Sequence, residues 1–148
     1  MDAVEAIRGE LSTLFDLWRR DMRVVAAHID PCLELNGLMI LAWLTDTGPA
    51  RLTDIACHYG VGKGTMSRQL KALEELGLVE RRTAPDDARA VLFGPTERAR
   101  KTLTEVWNAE WEWRRAHFAS WDPEEVNALG RLLRRFNAMS SPLTAPLG

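Results

Sequence analysis

The chain has 148 residues, 46% hydrophobic and 27% charged, enough apolar material for one ordinary core and too little for two independent domains. No uninterrupted apolar run approaches the roughly 18 residues a membrane-spanning helix needs, and Asp2, Glu5, Arg8 and Glu10 break up the apolar block of a secretory leader, so a cytoplasmic protein without a membrane partner is expected. The net charge of −2 divides unevenly: residues 51–101 hold ten basic against seven acidic side chains (+3) and the remainder nine against fourteen (−5), the pattern of a polyanion-binding module on a separate scaffold.

Val4, Ile7, Leu11, Leu14, Trp18, Met22, Val25 and Ile29 recur by threes and fours, predicting one helix over about the first 29 residues, roughly 40 Å at 1.5 Å per residue. A globule of this size does not cover such a helix alone, so a partner subunit is expected. Asp30-Pro31 ends it, because proline lacks the amide donor and pushes the preceding residue out of the helical region. A second helix is predicted over 35–46, closed by Thr47-Gly48-Pro49. A two-turn helix over 52–59 follows, with Thr53 as its expected cap, Ile55 and Ala56 facing inward, and Gly60 closing it at positive φ. After the Val61-Gly62 turn, a helix over 63–76 places Met66, Leu70, Leu73 and Gly77 on one face. Residues 78–82 and 90–93 are short β-compatible runs around a polar connection ending in Asp86-Asp87-Ala88-Arg89, which predicts a hairpin with a charged tip.

Thr96 is the expected cap of a long helix reaching about residue 119. One of its faces carries Leu103, Trp107, Trp111 and Phe118 and a second carries Val106, Ala109, Trp113 and His117, which suits packing on its own domain and on a partner at once. Asp122, Pro123 and Glu125 supply the cap, first-turn proline and capping-box partner of a final helix, with Val126, Leu129, Leu133 and Phe136 as its expected buried stripe. Residues 140–148, with Pro142 and Pro146, are expected to form a flexible tail.

Two short helices joined by a tight glycine-containing turn and followed by a hairpin form a winged helix-turn-helix, whose second helix enters the major groove. The expected fold is therefore mainly α with a small β-hairpin wing, the winged helix-turn-helix being carried on a helical dimerisation scaffold. A single domain is expected, with 1–34 and 96–139 as dimerisation helices and 35–95 as the DNA-binding region. At about 100° per residue, with Met66 centred on the core, Gly64, Arg68, Lys71 and Glu75 fall near the opposite pole and Thr65 and Ser67 flank it. Arg68 is the candidate for a bidentate contact to guanine, Thr65 and Ser67 for lighter base or phosphate contacts, and Lys63 and Lys71 for phosphates. Gly64 lets the backbone approach closely. At the hairpin tip Arg89, oriented by Asp87, is placed to enter the minor groove, with Arg81 and Arg82 at the base as further phosphate contacts.

The stretch Leu52-Thr53-Asp54-Ile55-Ala56, the run from Leu73 to Arg82 (Leu-Glu-Glu-Leu-Gly-Leu-Val-Glu-Arg-Arg) and Pro85-Asp86-Asp87-Ala88-Arg89-Ala90-Val91-Leu92 resemble the MarR family of bacterial winged-helix regulators. The motif region covers about a third of the chain, and the flanking helices match the family's layout over most of the rest. The resemblance implies a homodimer joined through its N- and C-terminal helices, binding pseudo-palindromic double-stranded DNA operators, usually as a repressor relieved by a small ligand. Three residues depart from the family's pattern: Gly62 where a serine-like cap is usual, Ala88 where a basic wing residue is common, and Pro95 where leucine is usual.

Trp18, Met22, Trp43, Trp107 and Trp111 are candidates for an effector pocket taking a small aromatic or apolar molecule, core packing being the alternative. Cys32 and Cys57, 25 positions apart without a Cys-x-x-Cys, are expected to be reduced thiols. His28 and His58 lie near them, but Pro31 interrupts the first spacing and adjacent helical residues point apart, so no metal and no cofactor is expected. Redox sensing by Cys32 requires a lowered thiol pKa. No catalytic constellation or phosphate-cradling glycine loop is present, so an enzyme is not expected. The alternative function is a winged-helix protein-interaction or anti-regulator protein without DNA binding, in keeping with the acidic net charge and Ala88.

Overall fold

The computed structural model describes residues 2–139, so the tail expected over 140–148 lies outside the described residues. In chain order the elements are α1 (Ala3–Ile29), α2 (Leu35–Thr47), α3 (Leu52–Tyr59), α4 (Lys63–Glu75), β1 (Val79–Thr83), β2 (Val91–Pro95), α5 (Glu97–Phe118) and α6 (Pro123–Asn137). The mainly helical fold with one antiparallel hairpin is the architecture the sequence predicts.

Asp2 opens α1 by accepting the Val4 amide, and an extended Asp30 ends it before Pro31. Only the last two turns of α1 are buried, through Met22, Val25, Ala26 and Ile29, while Val4, Ile7, Leu14 and Phe15 are exposed. The centre of the core is α2, whose Leu38, Ile40, Leu41 and Leu44 are fully enclosed; a helix apolar on most sides is stable only when covered on most sides. It packs against α1, α4 and β2. Gly37 permits the closest approach, since a Cβ there would fall 2.9 Å from Leu33 Cδ1 and 3.1 Å from Leu73 Cδ2.

One expected cap is corrected. Arg51, not Thr53, is the N-cap of α3, with extended backbone and no side-chain cap bond. Its neighbour Ala50 exchanges backbone hydrogen bonds with Phe93 at 3.0 and 2.8 Å, so the chain leaves a strand-like pairing and enters the helix at once. The hairpin runs in register from Val79 opposite Pro95 to Thr83 opposite Val91, one residue later than predicted at its start.

The chain separates inside α5 into two compact units, the first ending at Val106 and the second beginning at Trp107. The buried side chains lie in the first unit: α5 buries Ala99 and Leu103 and no later residue, and α6 buries none. The stripe expected to be buried on α6 is therefore corrected, Leu133 being 43% and Phe136 40% exposed in the single chain. The physical reason is layer count, since a helix and a half cannot enclose each other's apolar faces. The helix start is as expected: Asp122 accepts the Glu124 amide at 2.8 Å and Glu125 completes a capping box. No helix among the described residues is long and apolar enough to cross a membrane.

Candidate nucleic-acid interface

The candidate recognition helix, α4, is fixed from its buried side. Met66, Leu70 and Leu73 are enclosed, as their spacing predicts, and this turns Lys63, Gly64, Ser67, Arg68 and Lys71 to the surface with Thr65 half-buried beside them. Gly62 caps α4 through its backbone alone. The first-turn amides therefore lack a side-chain acceptor, and amides so presented favour an anion. Arg68 folds back over this turn, its Nη2 donating to Thr65 Oγ1 at 3.4 Å. Glu74 and Glu75 stand at the opposite end of the helix.

The cations divide into two groups. Arg81 donates through Nε to both Glu74 carboxylate oxygens, at 3.0 and 3.2 Å, and its guanidinium lies 5.3 Å from the Phe93 ring centroid. The Glu74 hydrogen bond raises the Arg81 pKa above its already high ordinary value. Arg82 is held by Glu80 at 2.7 Å and by the Pro95 carbonyl at 3.0 Å. Both expected phosphate contacts at the wing base thus also brace the hairpin. By contrast, among the described residues no carboxylate pairs with Lys63, Arg68, Lys71 or Arg89.

At the wing tip Asp87 does not orient the Arg89 guanidinium. Its carboxylate accepts the Arg89 backbone amide at 3.0 Å, and its carbonyl accepts the Ala90 amide at 3.0 Å. A short aspartate closes the backbone turn two residues on by accepting the amide there. Asp87 therefore shapes the tip that carries Arg89. At the wing exit Thr96 Oγ1 accepts the Ala99 amide at 3.2 Å, the expected cap, and donates to the Gly77 carbonyl at 2.9 Å. A contact not foreseen from the sequence lies beside it: Arg98 Nη2 donates to the Leu76 carbonyl at 2.7 Å. Nothing in local periodicity signals a bond between residues 22 positions apart.

The MarR family model matches residues 33–91, the span containing this helix pair and most of the wing. The uncharacterized HTH-type transcriptional regulator YxaD of Bacillus subtilis (strain 168) is 31% identical over 140 residues, covering 90% of this chain and 92% of its own. The chain belongs to the MarR family. Solved structures agree in fold: RV1404 from Mycobacterium tuberculosis has a TM-score of 0.80 at 23% identity, covering 93% of this chain and 94% of its own. FabT of Streptococcus pneumoniae, solved in complex with DNA, has a TM-score of 0.78 at 16% identity, covering 90% and 94%.

The effector candidates of this MarR-family chain are less unified than the DNA-facing ones. Met22 is part of the core, and Trp18, one helical turn earlier on α1, is 38% exposed. Trp43 stacks on His58 with ring centroids 4.7 Å apart, and Tyr59 meets both rings edge-on. Burial raises the Tyr59 pKa, and its hydroxyl donates to the Met39 carbonyl at 2.8 Å. Trp107 and Trp111 belong to the second unit, Trp111 being 62% exposed. A cleft of about 240 Å³ opens elsewhere, lined by Cys32, Leu33, Gly37, Gln69, Leu73 and Leu76, with none of the tryptophans. Both cysteines are free and exposed.

Proposed function

We propose that this MarR-family chain is a homodimeric, sequence-specific DNA-binding transcriptional regulator of the cytoplasm, a repressor released by a small aromatic or apolar effector, and not an enzyme. The carrying observation is the exposed face of α4, where Lys63, Arg68 and Lys71 have no carboxylate partner among the described residues, beside a helix start that lacks a side-chain cap. Arg81 and Arg82 are held by Glu74 and Glu80, whereas the charges on the α4 face stay available for phosphates and base edges. Thr65 and Ser67 supply lighter contacts, Gly64 admits the DNA backbone, and Arg89 enters the flanking minor groove. FabT, a chain of the same fold, is itself solved in complex with DNA, which supports a DNA-binding reading here. The exposed apolar residues of α1 and α6 support the homodimer, and a two-fold dimer reads half-sites about 10 base pairs apart.

The test is selection of bound duplexes from a random pool by the purified protein, followed by titration of the selected site across salt concentrations. A two-fold symmetric site with a steep salt slope is expected. No enrichment by a protein that is dimeric in solution would transfer the assignment to protein interaction. On the selected site, Arg68→Ala should cost roughly 1 to 3 kcal/mol and relax preference at one base position. Lys71→Ala should weaken selected and random duplexes alike and lower the salt slope by about one. Equal losses on both duplexes for Arg68→Ala would refute its base-reading role.

A further inference from the structure

We infer that Arg98 is a positioning residue for base reading: from the first turn of α5 it holds the C-terminal end of the recognition helix at its reading angle without itself contacting DNA. The inference rests on the DNA-binding reading above and adds a residue outside the DNA-facing set.

The recognition helix ends in a closed turn. The Leu78 amide donates to the Leu73 carbonyl at 3.0 Å and the Gly77 amide to that of Glu74 at 2.9 Å, with Gly77 at φ 69, a Schellman arrangement. Beyond that turn the next three carbonyls are all engaged by residues 96 and 98. Arg98 Nη2 donates to Leu76 O at 2.7 Å and Gly77 O at 3.4 Å, Thr96 Oγ1 donates to Gly77 O, and the Thr96 amide donates to Leu78 O at 3.0 Å. A Cβ on Gly77 would stand 3.3 Å from Arg98 Nη2, so glycine serves both the left-handed turn and the seat of the guanidinium.

Charge gives this contact its direction. α4 has no basic residue in its last turn and carries Glu74 and Glu75 there, beside the negative end of the helix dipole. Positive charge reaches that end from other elements, Arg81 from β1 and Arg98 from α5. Arg98 has no carboxylate partner among the described residues, so its hydrogen bonds are directed at these carbonyls. Base contacts demand placement within about 0.5 Å, whereas flexible lysines follow a displaced phosphate. Loosening the pivot should therefore cost sequence reading more than general affinity.

The experiment uses the full-length protein with Arg98→Ala and Arg98→Lys, measuring affinity for the selected duplex and for a random duplex across salt concentrations, together with Tm. Arg98→Ala should lose about tenfold on the selected duplex and less than about twofold on the random one, with an unchanged salt slope. Arg98→Lys should recover part of the ratio, since an ammonium can reach one carbonyl, and it decides the matter if the alanine variant does not fold. An unchanged affinity ratio with only a lowered Tm would reduce Arg98 to a helix cap and overturn the inference. So would parallel losses on both duplexes with a slope lower by about one, the signature of a phosphate contact. Failure of the unsubstituted protein to prefer any duplex overturns the DNA-binding reading as well, and is thereby distinct from failure of this inference alone.

Discussion

A Cβ built at Gly64 meets only Arg68 Nη1, at 3.7 Å, so within the protein an alanine fits and glycine costs helix stability for no packing return. Gly64→Ala should stabilise the free protein by about 0.5 to 1 kcal/mol, the helix-propensity difference, while weakening DNA binding where the backbone must approach. Tm and duplex affinity moving in opposite directions would support that role; a variant that gains both would remove it. Tyr59, the chain's single tyrosine, permits a pH prediction in which no other phenol titrates. Burial makes its phenolate costly, and only the protonated hydroxyl can donate to Met39, so the folded pKa lies above the ordinary value of about 10. Above that value the unfolded chain loses its proton first. The stabilisation is thus complete below pH about 10 and is lost as pH rises through the folded pKa. Phenolate absorbance should show a midpoint above the ordinary value that returns to it on unfolding; an ordinary midpoint in the folded protein would contradict this.

Elements differ in how openly the sequence declares them. The inward face of α4 is legible because Met66, Leu70 and Leu73 repeat at helical spacing, and fixing that face also fixes which cations point outward. The start of α6 is legible because its capping box lies within four consecutive residues. The start of α3 is not, since Arg51 becomes the cap only because Ala50 pairs with Phe93, 43 positions away. The wing shows the same limit: spacing identifies Asp87 and Arg89 as interacting, while the turn decides that the amide is what Asp87 binds. Asp87→Ala should therefore act through tip order. It should speed exchange of the Arg89 and Ala90 amides and reduce DNA affinity while leaving Arg89 in the chain; a variant with unchanged exchange would show that the tip is shaped without Asp87. Adding Arg89→Ala to Asp87→Ala should then cost less than Arg89→Ala alone, because an arginine on a disordered tip contributes less to lose.

The whole molecule distributes its apolar surface unevenly. The first unit holds the buried core, while Leu132, Leu133 and Phe136 of α6 and Val4, Ile7, Leu14 and Phe15 of α1 are exposed in one protomer. On the homodimer reading these are the surfaces a second copy covers, and the division tells where a substitution will be felt. Phe136 is 40% exposed, so Phe136→Asp costs the second unit part of its own apolar packing but leaves the buried core of the first unit untouched. In an apolar interface the same carboxylate would be buried without a partner, which is severely unfavourable. Sedimentation should therefore find Phe136→Asp monomeric at concentrations where the unsubstituted protein is dimeric, with the helical circular dichroism of the first unit retained. Binding should change in a particular way, because a dimer gains affinity by holding its second recognition helix near the second half-site. Linking two such sites contributes about 10² to 10⁴ in affinity, so the unsubstituted protein should prefer a full site over a half-site strongly and Phe136→Asp should not. A variant that stays dimeric would exclude the α6 stripe from the interface. A variant that becomes monomeric yet keeps the full-site preference would separate dimerisation from DNA reading and remove the two-fold argument for a symmetric operator.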